Sequence, residues 1–230
     1  RFLFPDLPEE ESRVLELNSS DPDGNADEAC RNVSHWVEHQ GLKEVVTRNG
    51  LILPLLLPGL YPQLLALYQL QDEENVTCYW ANLTYLNRQP DQALLRYLEA
   101  NPKLWPLSDA QQADKQMQEQ KNQCFGKAVT CLKLISAKFT PREKLAVLGD
   151  TFRAITAAVE DARQQRCKWA MDDLIPVFMF VVLRARIRHL GAEVQLIEDL
   201  MDDHLRDGEQ GIMLITLKAC CYQIQRENSR

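Results

Sequence analysis

Two adjacent carboxylates, Asp172 and Asp173, open a stretch, 171–183 (MDDLIPVFMFVVL), that otherwise holds only apolar residues and one proline. Paired carboxylates can hold a cation, pair with a partner's lysine, or stabilise the positive end of a helix dipole, the last at about 0.3–1 kcal/mol each. On residue types alone the dipole role is the ordinary one, because acidic residues are common at helix N-termini. What sets this pair apart is its place at the edge of an apolar surface, where a carboxylate is ready for a cation or a partner's lysine.

Other constellations carry less. Glu198, Asp199, Asp202 and Asp203 include acidic residues three and four apart, on one helix face. All-α enzymes that bind magnesium diphosphate use aspartates at such spacing, since hard divalent ions take carboxylate oxygens. They need a second acidic motif facing the first, and none with suitable spacing is present, so no metal site is expected. His35 and His39, four apart with Cys30 and Glu38 nearby, lack an evident third zinc ligand and read as a surface or core-edge pair. Arg184, Arg186, Arg188 and His189 close the apolar stretch and suit the negative end of a helix dipole, with an acidic partner or anionic lipid as the alternative. There is no glycine-rich phosphate loop and no nucleophile in a recognisable local context. Neither a cofactor nor covalent catalysis is expected. Met179, Met201 and Met213 read as core.

The 230-residue chain sets 26 Lys+Arg against 33 Asp+Glu, a net charge of -7, and is 45% apolar. That composition excludes disorder along the whole length. The acidic balance argues against nucleic acid as the main partner. The apolar runs 51–60 and 174–183 are broken by Pro54, Pro58 and Pro176. Each reaches about half of the ~20 residues a spanning helix needs, so no transmembrane segment is expected. Seven cysteines, with Cys220 and Cys221 adjacent, show no disulfide-framework spacing and read as thiols of a cytosolic protein. Asn18, Asn32, Asn75 and Asn82 begin N-x-S/T sequons, a pattern short enough to arise by chance. Arg1 is not an initiator residue, so the chain reads as a piece of a longer protein.

The elements that must position these residues are helical. Glycine is scarce, alternating patterns are almost absent, and apolar residues recur at helical spacing, so an all-α fold is expected. Residues 1–24 form a partly flexible lead-in. An N-terminal helical layer follows over 25–107. It holds a helix over 27–40 ended by Gly41, a stretch over 42–70 that Pro54, Pro58 and Pro62 break into short helices, and helices over 75–87 and 91–100. The glutamine-rich segment 108–121 is a linker or an exposed helix end. A second domain spans 122–226, before a short tail at 227–230. It opens with a helix over 122–138. Thr140, Pro141 and Glu143 then form a capping box, with Leu145, Leu148, Phe152, Ile155 and Val159 on one face of the helix behind it. After a polar linker at 161–168, the carboxylate pair starts a buried helix, on the argument that Pro176 is tolerable only in a first turn. A short helix over 192–201 and a last one, capped by Asp207 and running to about Arg226, complete the domain.

Three segments carry a resemblance: Thr140-Pro-Arg-Glu-Lys-Leu, Asp172-Asp-Leu-Ile-Pro-Val, and the run from Leu190 through Ile197-Glu-Asp-Leu-Met201. Together they resemble the VPS9 domain, a family that catalyses guanine-nucleotide exchange on Rab5-subfamily GTPases of early endosomes. The tail 208–226 extends the resemblance, as do Tyr61-Pro-Gln-Leu and the run 89–95 upstream, whereas the first fifty residues carry no recognisable part of it. The resemblance implies a helical VPS9-type domain with a helical layer packed before it. It further implies that Asp172 enters the nucleotide site of the GTPase, pairs with the phosphate-loop lysine and disturbs magnesium and phosphate binding. Asp173, Pro176 and Met179 on that helix, with Ile212, Ile215 and Thr216 on the last one, are the implied GTPase-binding groove.

The sequence departs from the family at Ile212, where many members carry tyrosine, and at Ile215-Thr216, where they carry Thr-Asn. A tyrosine offers an apolar ring and a hydroxyl, and isoleucine keeps only the apolar part. The resemblance therefore implies a weak exchange factor: not an enzyme in the covalent sense, cytoplasmic, and recruited peripherally to endosomes. The alternative is a Rab-binding module that self-associates, or associates with a longer relative of the family, with little exchange activity.

Overall fold

The computed structural model describes residues 47–71, 73–102, 125–163 and 171–227. The expectations for 1–24, for the helix over 27–40 with His35 and His39, for the sequons at Asn18 and Asn32, and for the linker at 108–121 fall outside these residues. The chain divides into two compact units, residues 1–56 and 57–230. Nine helices are described, and no strand occurs among the described residues, in accord with the all-α expectation.

Helix α1 (Arg48–Gln71) starts at Thr47, whose Oγ1 accepts the Gly50 amide at 2.9 Å. It corrects one expectation. Pro54, Pro58 and Pro62 do not break the stretch into short helices; it is one helix of 24 residues. The prolines lie four apart, so their rings share one exposed face, and the carbonyls that lose amide partners there can turn to water. Because the helix is continuous, Asn49–Gln71 is by length and composition apolar enough to cross a membrane, and little of it is buried.

In the second unit, α2 (Glu73–Leu86) and α3 (Asp91–Tyr97) precede α4 (Gly126–Lys133), which ends in a 3-10 turn over Leu134–Ala137. Helices α5 (Pro141–Arg163), α6 (Met171–Ala185), α7 (Leu190–Leu200), α8 (Asp203–Arg206) and α9 (Glu209–Arg226) follow. The capping box of α5 forms as expected. Thr140 Oγ1 accepts the Glu143 amide at 3.3 Å, and Glu143 Oε2 accepts the Thr140 amide at 3.2 Å. Leu145, Leu148, Phe152, Ile155 and Val159 are all buried. Helix α6 runs through the centre, with Val177–Leu183 buried on every side and Phe178 stacked on Phe152 at 4.3 Å. Helices α4 and α9 pack on it, and α9 also packs on α2, α5 and α7.

Polar ties hold the layers together. Asn82 is buried and donates to the carbonyls of Ile224 and Gln225 at the end of α9, so the sequon it opens lies inside the fold. Arg184 donates to the carbonyls of Asn87 and Gln89 and pairs with Asp91, fixing the α2–α3 connection to the end of α6. Its place in the basic cluster is thus structural.

Candidate functional site

Pro176 is the sixth residue of α6, not a first-turn residue as the sequence argument assumed. The helix holds it because the cost is local: proline has no amide hydrogen, so one carbonyl a turn earlier, that of Asp172, loses its helical partner. Asp172 and Asp173 still lie in the first turn of the described helix. The two differ in surroundings. Asp172 is exposed, with no hydrogen bond or ion pair to another described residue. Asp173 is half-buried, and its Oδ1 accepts Asn101 Nδ2 at 3.2 Å.

The implied groove residues separate into two groups. Ile212 and Ile215 are 53% and 65% exposed, one turn apart on α9, which packs on α6. Pro176 is half-buried, and Ile175 beside it, one turn from Asp172, is exposed. Met179, by contrast, is 3% exposed and lies in the core cluster, so its side chain supports α6 from within and presents no surface to a partner. Thr216 is buried, and its hydroxyl donates to the Ile212 carbonyl at 2.8 Å, bracing the turn that displays Ile212. The resemblance named Met179 and Thr216 by position and missed Ile175, whereas the residue-type reading of Met179 as core agrees with its burial. Helical periodicity could have found Ile175, which falls three after Asp172 and off the buried face.

The start of α9 is held by a close approach. A Cβ on Gly211 would fall 1.8 Å from the Arg206 carbonyl oxygen. Arg206 in turn donates to Asp203 at 3.1 Å and to the Glu198 carbonyl at 2.7 Å, and Lys218 pairs with Glu198 at 2.6 Å. These bonds account for much of the acidic run weighed for magnesium. Asp199 accepts Tyr68 Oη and Gln195 Nε2, both at 2.9 Å. Among the described residues no three His, Cys, Asp or Glu side chains converge as a metal site would require.

An exposed carboxylate without a partner among the described residues, on a helix rooted in the core, with exposed isoleucines on that helix and on α9, defines an all-α module that presents charge and an apolar surface together. Residues 125–229 match the family described as the Vacuolar sorting protein 9 (VPS9) domain. That stretch, a little under half of the chain, carries a VPS9 domain, a domain of the Rab guanine-nucleotide-exchange type. The chain is 50% identical to alsin of Rattus norvegicus over 229 residues, 99% of this chain, and 48% identical to alsin of Homo sapiens over the same length. It is 40% identical over 203 residues to the ALS2 C-terminal-like protein of Mus musculus, 84% of this chain. Similarity to alsin thus includes the first fifty residues, which the motif reading left unplaced. The chain spans 14% of the length of alsin and 21% of the ALS2 C-terminal-like protein.

Proposed function

We propose that this chain accelerates GDP release from a Rab5-subfamily GTPase on endosomes, with no covalent step. The observation that carries the reading is Asp172: exposed, without a partner among the described residues, and held in the first turn of a helix whose Val177–Leu183 segment is core. A carboxylate so placed can pair with the phosphate-loop lysine and take over the negative charge of the departing phosphate. That interaction stabilises the nucleotide-free state, which is what lowers the barrier to release. Ile175, Ile212 and Ile215 supply apolar surface for the GTPase beside it. Activity is weak because Ile212 offers no hydroxyl. One missing hydrogen bond, worth about 0.5–1.5 kcal/mol, slows exchange several-fold to tenfold.

The test is release of a fluorescent GDP analogue from a Rab5-subfamily GTPase, with Asp172→Ala as the control and Ile212→Tyr as the gain variant. Acceleration that is lost in Asp172→Ala and raised in Ile212→Tyr supports the reading. Normal exchange by Asp172→Ala sinks it.

A second reading, a module that self-associates or associates with alsin while binding a Rab, is favoured by α1, which exposes Leu60, Leu67 and Leu70. Binding of the GTPase without acceleration, together with a sedimentation coefficient above that of a monomer, selects it.

A further inference from the structure

We infer that Asn101 is a positioning residue for Asp172, acting through Asp173, a role that rests on the exchange reading above. Asn101 lies outside residues 125–229, on the segment that leaves α3. Its side-chain amide donates to Asp173 Oδ1. Three local features give that bond weight.

The first is the state of the helix it grips. Pro176 cannot donate to the Asp172 carbonyl, so the first described turn of α6 is held by one bond fewer than a regular helix. A side-chain bond from a neighbouring element fixes a turn that its own backbone holds less well. The second is how Asn101 itself is held. Helix α3 ends in a Schellman turn: the Ala100 amide donates to the Leu95 carbonyl and the Glu99 amide to the Arg96 carbonyl, both at 3.0 Å. Glu99 carries the left-handed conformation, φ 56°, that such a turn requires. Ala100 and Leu95 are both buried, so Asn101 leaves a tightly anchored corner.

The third feature is chemical. The donor is a neutral amide. A lysine or arginine at this place would hold Asp173 as well, but would cancel part of the negative potential that Asp172 presents to a partner's lysine. Asparagine orients one carboxylate and leaves both charges in place, so Asp173 serves as the anchor and Asp172 stays available.

The test uses the whole 230-residue chain and reads maximal exchange rate, half-saturating GTPase concentration and thermal midpoint together. In Asn101→Ala the maximal rate falls about tenfold, while the half-saturating concentration changes by less than about twofold. The thermal midpoint moves by no more than about 3 °C. Asn101→Gln, which keeps the amide donor, exchanges faster than Asn101→Ala. Asn101→Asp, which keeps the shape but loses the N–H, is as slow as Asn101→Ala or slower. Combining Asn101→Ala with Asp173→Ala costs no more than the slower single change. A wild-type rate in Asn101→Ala or Asn101→Asp overturns the assignment, and so does a rate loss that tracks a loss of thermal stability and is not relieved in Asn101→Gln. The Asn101 side-chain amide signal in a nitrogen–proton spectrum reports the bond without any GTPase and shifts in Asp173→Ala; an unmoved signal overturns the contact itself. An inactive wild-type chain whose amide signal does shift marks failure of the exchange reading, and of the role built on it, while the bond stands.

Discussion

Lys144 Nζ lies 2.6 Å from Glu193 Oε2, with the two side chains 0% and 1% exposed. The pair joins α5 to α7. Lys144 also donates to the Ile135 carbonyl at 2.7 Å and to Tyr61 Oη at 3.0 Å, and the Tyr61 hydroxyl donates to Glu193 Oε1 at 2.7 Å. Burial pulls the Lys144 ammonium below its ordinary pKa, against the attraction of Glu193. Burial first, and the neighbouring carboxylate second, push the Tyr61 phenol well up, so it stays a donor throughout the accessible pH range.

Removing one charge from this network leaves the other buried and unpaired. Glu193→Gln or Lys144→Met alone should cost about 3–5 kcal/mol in urea unfolding. The double change Lys144→Met with Glu193→Leu should cost much less, because two apolar side chains need no partner. Tyr61→Phe removes one hydroxyl that serves both charges and should cost about 1–3 kcal/mol. Single changes that leave the unfolding midpoint where it was would show that the pair is hydrated in solution.

The capping box gives a pH dependence of definite sign. Burial alone would raise the Glu143 carboxyl, but the Thr140 amide and hydroxyl, the Phe139 backbone amide and Lys138 together hold it below its ordinary value of 4.5. A carboxyl depressed in the folded state contributes stability above its unfolded pKa and loses it as pH falls through the folded one. Wild type should therefore lose stability between pH 5 and the folded value more steeply than Glu143→Ala, while the two differ by no more than about 1 kcal/mol at pH 7. Parallel acid limbs in the two proteins would contradict the shift.

That box was legible in the sequence because it is local: Thr140, Pro141 and Glu143 meet within one turn, whatever the rest of the chain does. The buried faces of α5 and α6 were legible for the same reason, since helical spacing alone orders them. The place of Asp172 in the first turn of α6 was legible from its neighbours in sequence. Asn101 and Glu193 were not, because their partners lie 72 and 49 residues away and neither type signals a long-range bond. The prolines of α1 misled because proline propensity describes an isolated helix interior, and spacing of four puts all the lost bonds on one wet face. Met179 was legible as core from its residue type and helical surroundings, and only its absence from the groove was not, because the resemblance fixes its position on α6 but not its depth.

Thiol reactivity should sort by burial. Cys78, Cys131, Cys220 and Cys221 are thiols, and Cys78 is exposed on α2. Burial pushes the Cys220 thiol up to about 12, so almost none of it is thiolate at neutral pH. A small alkylating reagent at pH 7.5 should label Cys78 within minutes and leave Cys220 unlabelled until the chain is unfolded, as peptide mass mapping would read directly. Comparable labelling of Cys220 in the folded chain would mean that α9 opens locally from α2 at low cost.

Gly211 links stability to the display of Ile212. Its backbone lies against the Arg206 carbonyl, so even the methyl of Gly211→Ala must displace the start of α9 or the end of α8. Moving packed backbone to relieve such an overlap should cost about 1–3 kcal/mol. The displacement falls on the residue just before Ile212, so any binding that uses Ile212 and Ile215 should weaken more than the stability loss predicts. Gly59 is the internal control: a Cβ there meets nothing within 4 Å, so Gly59→Ala in the middle of α1 should be neutral or stabilising by a few tenths of a kcal/mol to about 1 kcal/mol. Thermal melts of the two variants, with GTPase binding measured well below both midpoints, separate the effects. Unaltered binding by folded Gly211→Ala would place the partner surface away from the first turn of α9.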